Sequence, residues 1–448
     1  MALTGIEIYK KLPRTNCKEC GFPTCLAFAM NLAAGKTELD LCPYVSEDAK
    51  ANLQDAAAPP VRVVTIGTGD RSIKIGGETV MFRHEKTFVN KPAFAVLIDD
   101  RMDEGEVDGR LDKLEQFQYE RVGLTFGPEL VAIKETRGDP SRFEHLINKA
   151  KERNHYGLIL MSTSPEILSA GLRICADSRP LLYAVTKENL DEVAGLAREN
   201  SCPVAVRTES LDELSELTSK LIQLGMKEIV LDPGSRGIRK ALEDQIIIRR
   251  AAVLNKYKHL GFPTITFPCE MTDDPMKEAL IASIFIAKYA GIIVLSDLEG
   301  HSLFPLLLER LNIYTDPQRP MATPEGIYEI GGPDDNSPVL ITSNFSLTYF
   351  IVSGEIETSR VPCYLLIKDT EGLSVMTAWA AGKFVAEEVA PFIKKCGIGE
   401  KVTHRKLIIP GYAAQISGEL EEELPDWQIQ IGPREASHLP AYLKMWKP

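Results

Sequence analysis

The chain has 448 residues, a length that predicts about three domains. Charged residues make up 25% and hydrophobic ones 44%, an ordinary globular composition, and no stretch approaches the ~20 apolar residues of a membrane span. The formal net charge of −12 disfavours nucleic acid or an anionic membrane surface as a partner.

The N-terminal segment carries the strongest chemical signal. Cys17, Cys20 and Cys25 fall within nine residues, and Cys42 follows sixteen residues later with Pro43 after it. Thiolates in this three-plus-one pattern can converge on one iron–sulfur cube, and Gly21 lets the loop turn tightly around a bulky core. Zinc is the main competitor, but its sites usually pair two short C-x-x-C units. The spacing therefore favours a [4Fe–4S] cluster. Between the third and fourth cysteines a short apolar helix is expected, with Thr24 as its N-cap and Gly35 as its stop. No apolar signal segment opens the sequence, and the nine cysteines then predict a reducing cytoplasm. The other cysteines read as small buried hydrophobes.

Residues 46–60 predict a helix that ends at Pro59-Pro60, a tether for a movable cluster domain. Alternating residues over 61–82, broken at Gly67 and Gly69 and again at Gly76-Gly77, predict a hairpin. Eight short apolar runs then recur at 94–98, 130–133, 158–161, 181–185, 204–206, 229–231, 264–267 and 292–295, most of them separated by helical patterns. That alternation is the signature of a (β/α)8 TIM barrel. After position 320 the pattern restarts with strands near 338–343, 363–368, 407–409 and 428–431 and crossover helices. The predicted fold class is α/β multidomain: a cluster domain over 1–58, a linker and hairpin over 59–92, a TIM barrel over 93–322, and a Rossmann-like α/β domain over 323–448.

Ligands of open parallel sheets lie beyond the carboxyl ends of the strands. The loops there are rich in small and hydroxyl residues. The first is Thr342-Ser343-Asn344-Phe345-Ser346. The second contains Thr370, Gly372, Leu373, Ser374 and Val375, with Thr377 just beyond. The third contains Gly411 and Ala413, and the fourth is Gly432-Pro433-Arg434-Glu435-Ala436. Such residues also cap helices with no ligand involved. None of the loops is a G-x-G-x-x-G, which disfavours a dinucleotide. In the barrel, Asp99, Asp100, Asp232, Glu270, Asp273 and Asp274 follow strands. Asp232-Pro233-Gly234 looks like a pterin-binding barrel turn, but the simpler expectation is that Asp232 caps the helix starting near Ile238.

Several segments together resemble one family. They are 16–30, Leu231-Asp232-Pro233-Gly234, 336–338, 342–349, 369–375 and 432–437. The resemblance is to the large (gamma) subunits of the corrinoid iron–sulfur protein of the acetyl-CoA synthase/carbon monoxide dehydrogenase pathway, and it runs from end to end. It implies a methyl carrier rather than a self-sufficient enzyme. The methyl group would come from methyltetrahydrofolate by way of a separate methyltransferase, be accepted on Co(I), and go to acetyl-CoA synthase. The [4Fe–4S] cluster on Cys17, Cys20, Cys25 and Cys42 would restore cobalt lost to Co(II). The four C-terminal loops would form the near wall of the corrinoid, with the small subunit of a heterodimer covering its other face. A low-potential electron donor is implied as a further partner. The D-x-H-x-x-G motif of many cobalamin proteins is missing, and His404 and His438 lack its context. The corrinoid is therefore expected base-off. The rival readings are a pterin-binding barrel methyltransferase and a plain electron-transfer iron–sulfur protein.

Overall fold

A computed structural model describes residues 4–33, 36–37, 39–46, 49, 53, 58–69, 72–121, 124–153, 156–318 and 321–448. The expected stop at Gly35 and most of the expected helix over 46–60 lie outside these residues. The chain divides into two compact units, one made of residues 1–81, 88–117 and 128–314, the other of 82–87, 118–127 and 315–448.

The first unit holds a closed parallel barrel of eight strands. They are β1 (Ala93–Asp99), β2 (Leu130–Lys134), β3 (Gly157–Met161), β4 (Leu181–Val185), β5 (Val204–Arg207), β6 (Ile229–Asp232), β7 (Thr264–Thr266) and β8 (Ala290–Leu295). Each strand pairs with its chain neighbour, and β8 returns to β1 through Ile292 beside Ala93. The runs are apolar because both faces are covered. Ala95, Ala132, Ile159, Leu181, Val230 and Val294 are buried in one core cluster inside the barrel. Strong start signals set the outer helices. Asp139, Ser164 and Asp274 accept backbone N–H bonds at the N-caps of Pro140–Glu152, Pro165–Cys175 and Pro275–Ala287, each with proline in the first helical position.

The expected hairpin forms from Val64–Ile66 and Ile73–Ile75, paired antiparallel. Its Val64, Ile66 and Ile75 join the same core cluster as the barrel interior. Glu228, just before β6, accepts from the Thr65 N–H at 2.8 Å, and Arg179, just before β4, donates to the Thr65 carbonyl at 2.6 Å. These contacts precede strands, so the hairpin plugs the N-terminal end of the barrel and leaves the C-terminal mouth to the strand-end loops.

The second unit carries a five-stranded sheet. Its strands are β9 (Gly326–Ile330), β10 (Val339–Ser343), β11 (Cys363–Lys368), β12 (Lys406–Ile409) and β13 (Gln428–Ile431), in the order β9-β11-β10-β12-β13. The four strands β10 to β13 run parallel, and β9 joins the edge antiparallel. In chain order the parallel strands lie 2-1-3-4, so the direction of winding reverses between β10 and β12. Helices cover both faces. Leu340, Leu365 and Ile408 pack with Ile356 and Leu439 on one side. Val339, Ile341 and Leu407 pack with Phe384, Val389 and Leu420 on the other. The antiparallel β9 was not expected from the sequence, because its residues are only partly buried and show no apolar run.

Candidate functional site

In the N-terminal segment, Asn16, Lys18 and Gly21 have left-handed backbone (φ 48°, 69° and 82°), which curls the cysteine loop. The Asn16 side chain accepts from the Cys25 N–H at 2.8 Å, and the Asn16 N–H donates to Cys25 Sγ at 3.4 Å. Thr24 caps the helix Cys25–Ala33 as expected, accepting from the Ala27 N–H at 3.1 Å. Cys25 and Cys42 are buried in a cluster with Ile8, Phe28 and Val45, and Cys20 packs against it; Cys17 is partly exposed. Among the described residues no group of three or more His, Cys, Asp or Glu side chains is gathered to hold a single metal ion. A thiol-rich loop backed by an apolar helix, with an N–H aimed at a sulfur, fits the donor set of an iron–sulfur cluster.

The second unit has a cavity of about 350 Å³ at the carboxyl ends of its parallel strands. Thr342, Ser374, Val375 and the whole run from Gly432 to Ala436 line it. It lies at β10 and β12, where the winding reverses and ligands of such sheets bind. The lining is mostly apolar. Large hydrophobic side chains remain exposed among the lining residues: Ile351 is 48% exposed, Met376 43% and Tyr412 43%.

The other named residues sit elsewhere. Asn344 is buried and ties two loops together: its Oδ1 accepts from the N–H groups of Thr370 and Gly372 and from the Thr370 hydroxyl, all within 3.0 Å, and its Nδ2 donates to Asp369. The single Thr370 hydroxyl proton is shared between Asn344 Oδ1 and the Leu373 carbonyl, each 2.9 Å away, and Leu373 packs on the core. Thr377 lies 3.0 Å from the Ser374 hydroxyl. Phe345 bridges to Ala322, and Ala413 is buried in the core. Gly411 is buried, and a Cβ there would lie 2.6 Å from the Gly432 carbonyl oxygen and 2.7 Å from the Arg434 nitrogen. Ser343 and Ser346, which flank the Asn344 tie, are buried, and among the described residues their hydroxyls find no hydrogen-bond partner. The cavity itself, apolar with a few polar groups from Thr342, Ser374 and the Gly432–Ala436 run, fits a large, mostly apolar ligand.

Sequence reasoning missed the wall contributed by Thr348, Ile351 and Val352 on the helix Ser346–Ser359. The available signal was apolar residues recurring outside the face that packs on the sheet. His404 lies before β12, at the other end of the strand from the cavity. One ring nitrogen is 2.9 Å from the Ser337 carbonyl, and the other lies 3.2 Å from the Lys406 nitrogen. Neither His404 nor His438 lines the cavity.

The barrel mouth is built differently. The expectation that Asp232 caps the helix Ile238–Val253 is overturned, since Gly237 holds the N-cap position. Asp232 is 1% exposed and points inward on the same strand face as Val230. Its carboxylate accepts from the Tyr183 hydroxyl at 2.6 Å, the Gly234 N–H at 2.8 Å and the Arg236 guanidinium at 2.9 and 3.1 Å. Arg236 also pairs with Glu270, which takes a second bond from Lys134 at 2.7 Å. Burial pushes the Tyr183 hydroxyl well above its ordinary range, and the Asp232 charge adds to that. Burial acts to raise Glu270 too, but Lys134 and Arg236 outweigh it and hold the carboxyl below its usual value. Asp99 is bound by Arg101 at 2.7 and 2.9 Å, and Asp100 by Thr136 and the Arg137 N–H. Asp274 caps the helix after it. These strand-end carboxylates, apart from Asp273, are therefore engaged by the protein's own donors.

Comparison with known proteins places this architecture. Residues 63–443 match the family model described as CO dehydrogenase/acetyl-CoA synthase delta subunit, and residues 12–44 match one described as an Fe–S cluster. The corrinoid/iron-sulfur protein large subunit of Moorella thermoacetica is 44% identical over 444 residues, covering 99% of each chain. The acetyl-CoA decarbonylase/synthase complex subunit gamma of Methanopyrus kandleri is 37% identical over 453 residues, covering 99% of this chain and 97% of its own. That of Archaeoglobus fulgidus is 37% identical over 466 residues, covering 99% and 98%. The chain belongs to this family of corrinoid/iron-sulfur protein large subunits and their gamma-subunit relatives. Among the described residues no helix is long and apolar enough to cross a membrane.

Proposed function

We propose that the chain is a corrinoid-dependent methyl carrier of the cytoplasm. It accepts a methyl group from methyltetrahydrofolate through a separate methyltransferase and delivers it to acetyl-CoA synthase. The observation that carries this reading is the apolar cavity at the winding reversal of the C-terminal sheet, in a chain whose N-terminus presents a cysteine loop. When bound, the corrinoid would supply a Co(I) nucleophile that accepts the methyl group as a cation and is left as Co(I) once the group is passed on, and a [4Fe–4S] cluster would supply the electron that rescues Co(II).

The residues divide the work. Cys17, Cys20, Cys25 and Cys42 hold the cluster, and the Asn16 N–H donates to Cys25 Sγ, a contact of the kind that tunes cluster potential. Thr342, Ser374 and the Gly432–Ala436 loop form the corrinoid's near wall, with Asn344 bracing the loop at 369–372 that leads to Ser374. His404 is engaged at the far end of β12, which supports a base-off corrinoid with no protein imidazole on the metal. The exposed Ile351, Met376 and Tyr412 suit a lip that is covered in turn by the ring and by a small-subunit partner. A low-potential electron donor completes the set of partners.

The test is Cys20→Ala in the full chain assembled with its partner subunit. The variant is expected to keep cobalt and its methyl cargo but to lose reductive recovery from Co(II). A variant that recovers at the wild-type rate overturns the assignment.

A further inference from the structure

We infer that Tyr412 and Glu435 form a clasp that sets how long a corrinoid stays in the C-terminal cavity; this rests on the corrinoid reading above. The loops that follow β12 and β13 are zipped along their backbones. The Gly411 N–H donates to the Pro433 carbonyl at 3.1 Å, and the Gly432 N–H donates to the Ile409 carbonyl at 2.9 Å. The two chains approach so closely at Gly411 that no side chain fits between them. Farther out, the Tyr412 hydroxyl donates to the Glu435 carboxylate at 2.8 Å, and both residues line the cavity. The bond therefore lies at the cavity wall, where it fixes an aromatic ring that is otherwise 43% exposed.

The remaining exposed lining is held differently. Ile351 and Met376 are exposed apolar side chains with no polar group to anchor their rotamers. Of the three exposed side chains Ile351, Met376 and Tyr412, the tyrosine is the one held by a side-chain hydrogen bond among the described residues. A large flat ligand leaves such a cavity by displacing one wall, and a pinned aromatic ring resists displacement without adding affinity for any single ligand group. Tyr412 and Glu435 are thus positioning residues: the tyrosine ring supplies the wall and the carboxylate holds it.

The probe is hydroxocobalamin loaded into the full chain assembled with its partner subunit, with release followed by absorbance in the presence of a cobalamin scavenger. A charge-assisted bond in partial solvent supports a release ~3- to 10-fold faster for Tyr412→Phe and for Glu435→Ala. Glu435→Gln keeps an acceptor for the tyrosine and is expected within about twofold of wild type, and the double variant Tyr412→Phe/Glu435→Ala is expected to be no faster than either single one. The unfolding midpoint of the corrinoid-free chain is expected to stay unchanged in all of them. Release from Tyr412→Phe at the wild-type rate, or faster release accompanied by a matching loss of corrinoid-free stability, overturns the clasp while leaving the corrinoid reading intact. A wild-type complex that takes up no cobalamin overturns the corrinoid reading itself, and the clasp with it.

Discussion

The barrel and the C-terminal sheet are both parallel, and both present strand-end loops where ligands of such folds bind, but they finish those ends with opposite chemistry. The barrel closes its mouth with its own charges: Asp232, Arg236, Glu270 and Lys134 form one chain of ion pairs, and Asp99 and Asp100 are bound locally. The C-terminal sheet ends in glycine, proline and apolar side chains and leaves a cavity of about 350 Å³. In a saturated polar network each charge already has its partner, so removing one member is costly. An open, mostly apolar cavity leaves work for a ligand. The contrast fits a structural role for the barrel mouth and the cofactor-binding role proposed for the sheet.

The largest expected effect tests the barrel side. Asp232→Ala leaves Arg236 and Tyr183 without their shared acceptor, and breaking a buried pair in this way costs about 3–5 kcal/mol. Denaturant unfolding is expected to show that loss while cobalt per chain remains at the wild-type level. A variant of wild-type stability that loses methyl transfer with its cobalt intact would instead make the mouth a folate site and collapse the contrast.

Next is the sheet side. Gly411→Ala places a methyl group against the Gly432 and Arg434 backbones, so the two loops must part. Overpacking of this kind costs about 1–3 kcal/mol, and cobalt content is expected to fall more than stability does, because the displaced loops form the cavity wall. Metal analysis beside thermal unfolding checks this; equal cobalt in variant and wild type removes the wall from the account.

The smallest effect sharpens the electrostatics of the mouth. The folded Glu270 carboxyl titrates below its ordinary value of 4.5. Its contribution is therefore complete above that pH and is lost as pH falls through the folded value. Glu78 works in the opposite sense, because burial raises it despite Arg249 beside it. Stability against pH in Glu270→Gln, compared with wild type, isolates the first group. The variant is expected to show a shallower loss of stability below about pH 4.5, the ordinary carboxylate range. An unchanged slope would mean that the Lys134–Glu270–Arg236 chain does not stabilise the fold.

Much of this contrast was legible in the sequence. The eight barrel runs stood out because a strand buried on both faces must be apolar throughout, and the helix starts were written in Asp-Pro and Ser-Pro pairs. The edge strand β9 was hidden because an outer strand is only partly buried and carries no such run. Asp232 was misread as a helix cap because its direction depends on strand parity: it lies two residues beyond the inward-facing Val230, as Tyr183 lies two beyond Leu181. At the sheet, glycines and hydroxyl residues marked the loops but not the facing of their side chains. Asn344 reads as a ligand contact in sequence, yet in three dimensions it braces the next loop. The wall from the helix Ser346–Ser359 showed only as apolar residues outside its packing face, which look like core until their exposure is known.

The most direct test of the account is anaerobic iron and cobalt analysis with electron paramagnetic resonance on the full chain purified with its natural partner. The account predicts about four iron and about one cobalt per chain, with a base-off Co(II) signal. Iron without cobalt, after corrinoid has been supplied, would contradict it and leave the cavity without the ligand proposed for it.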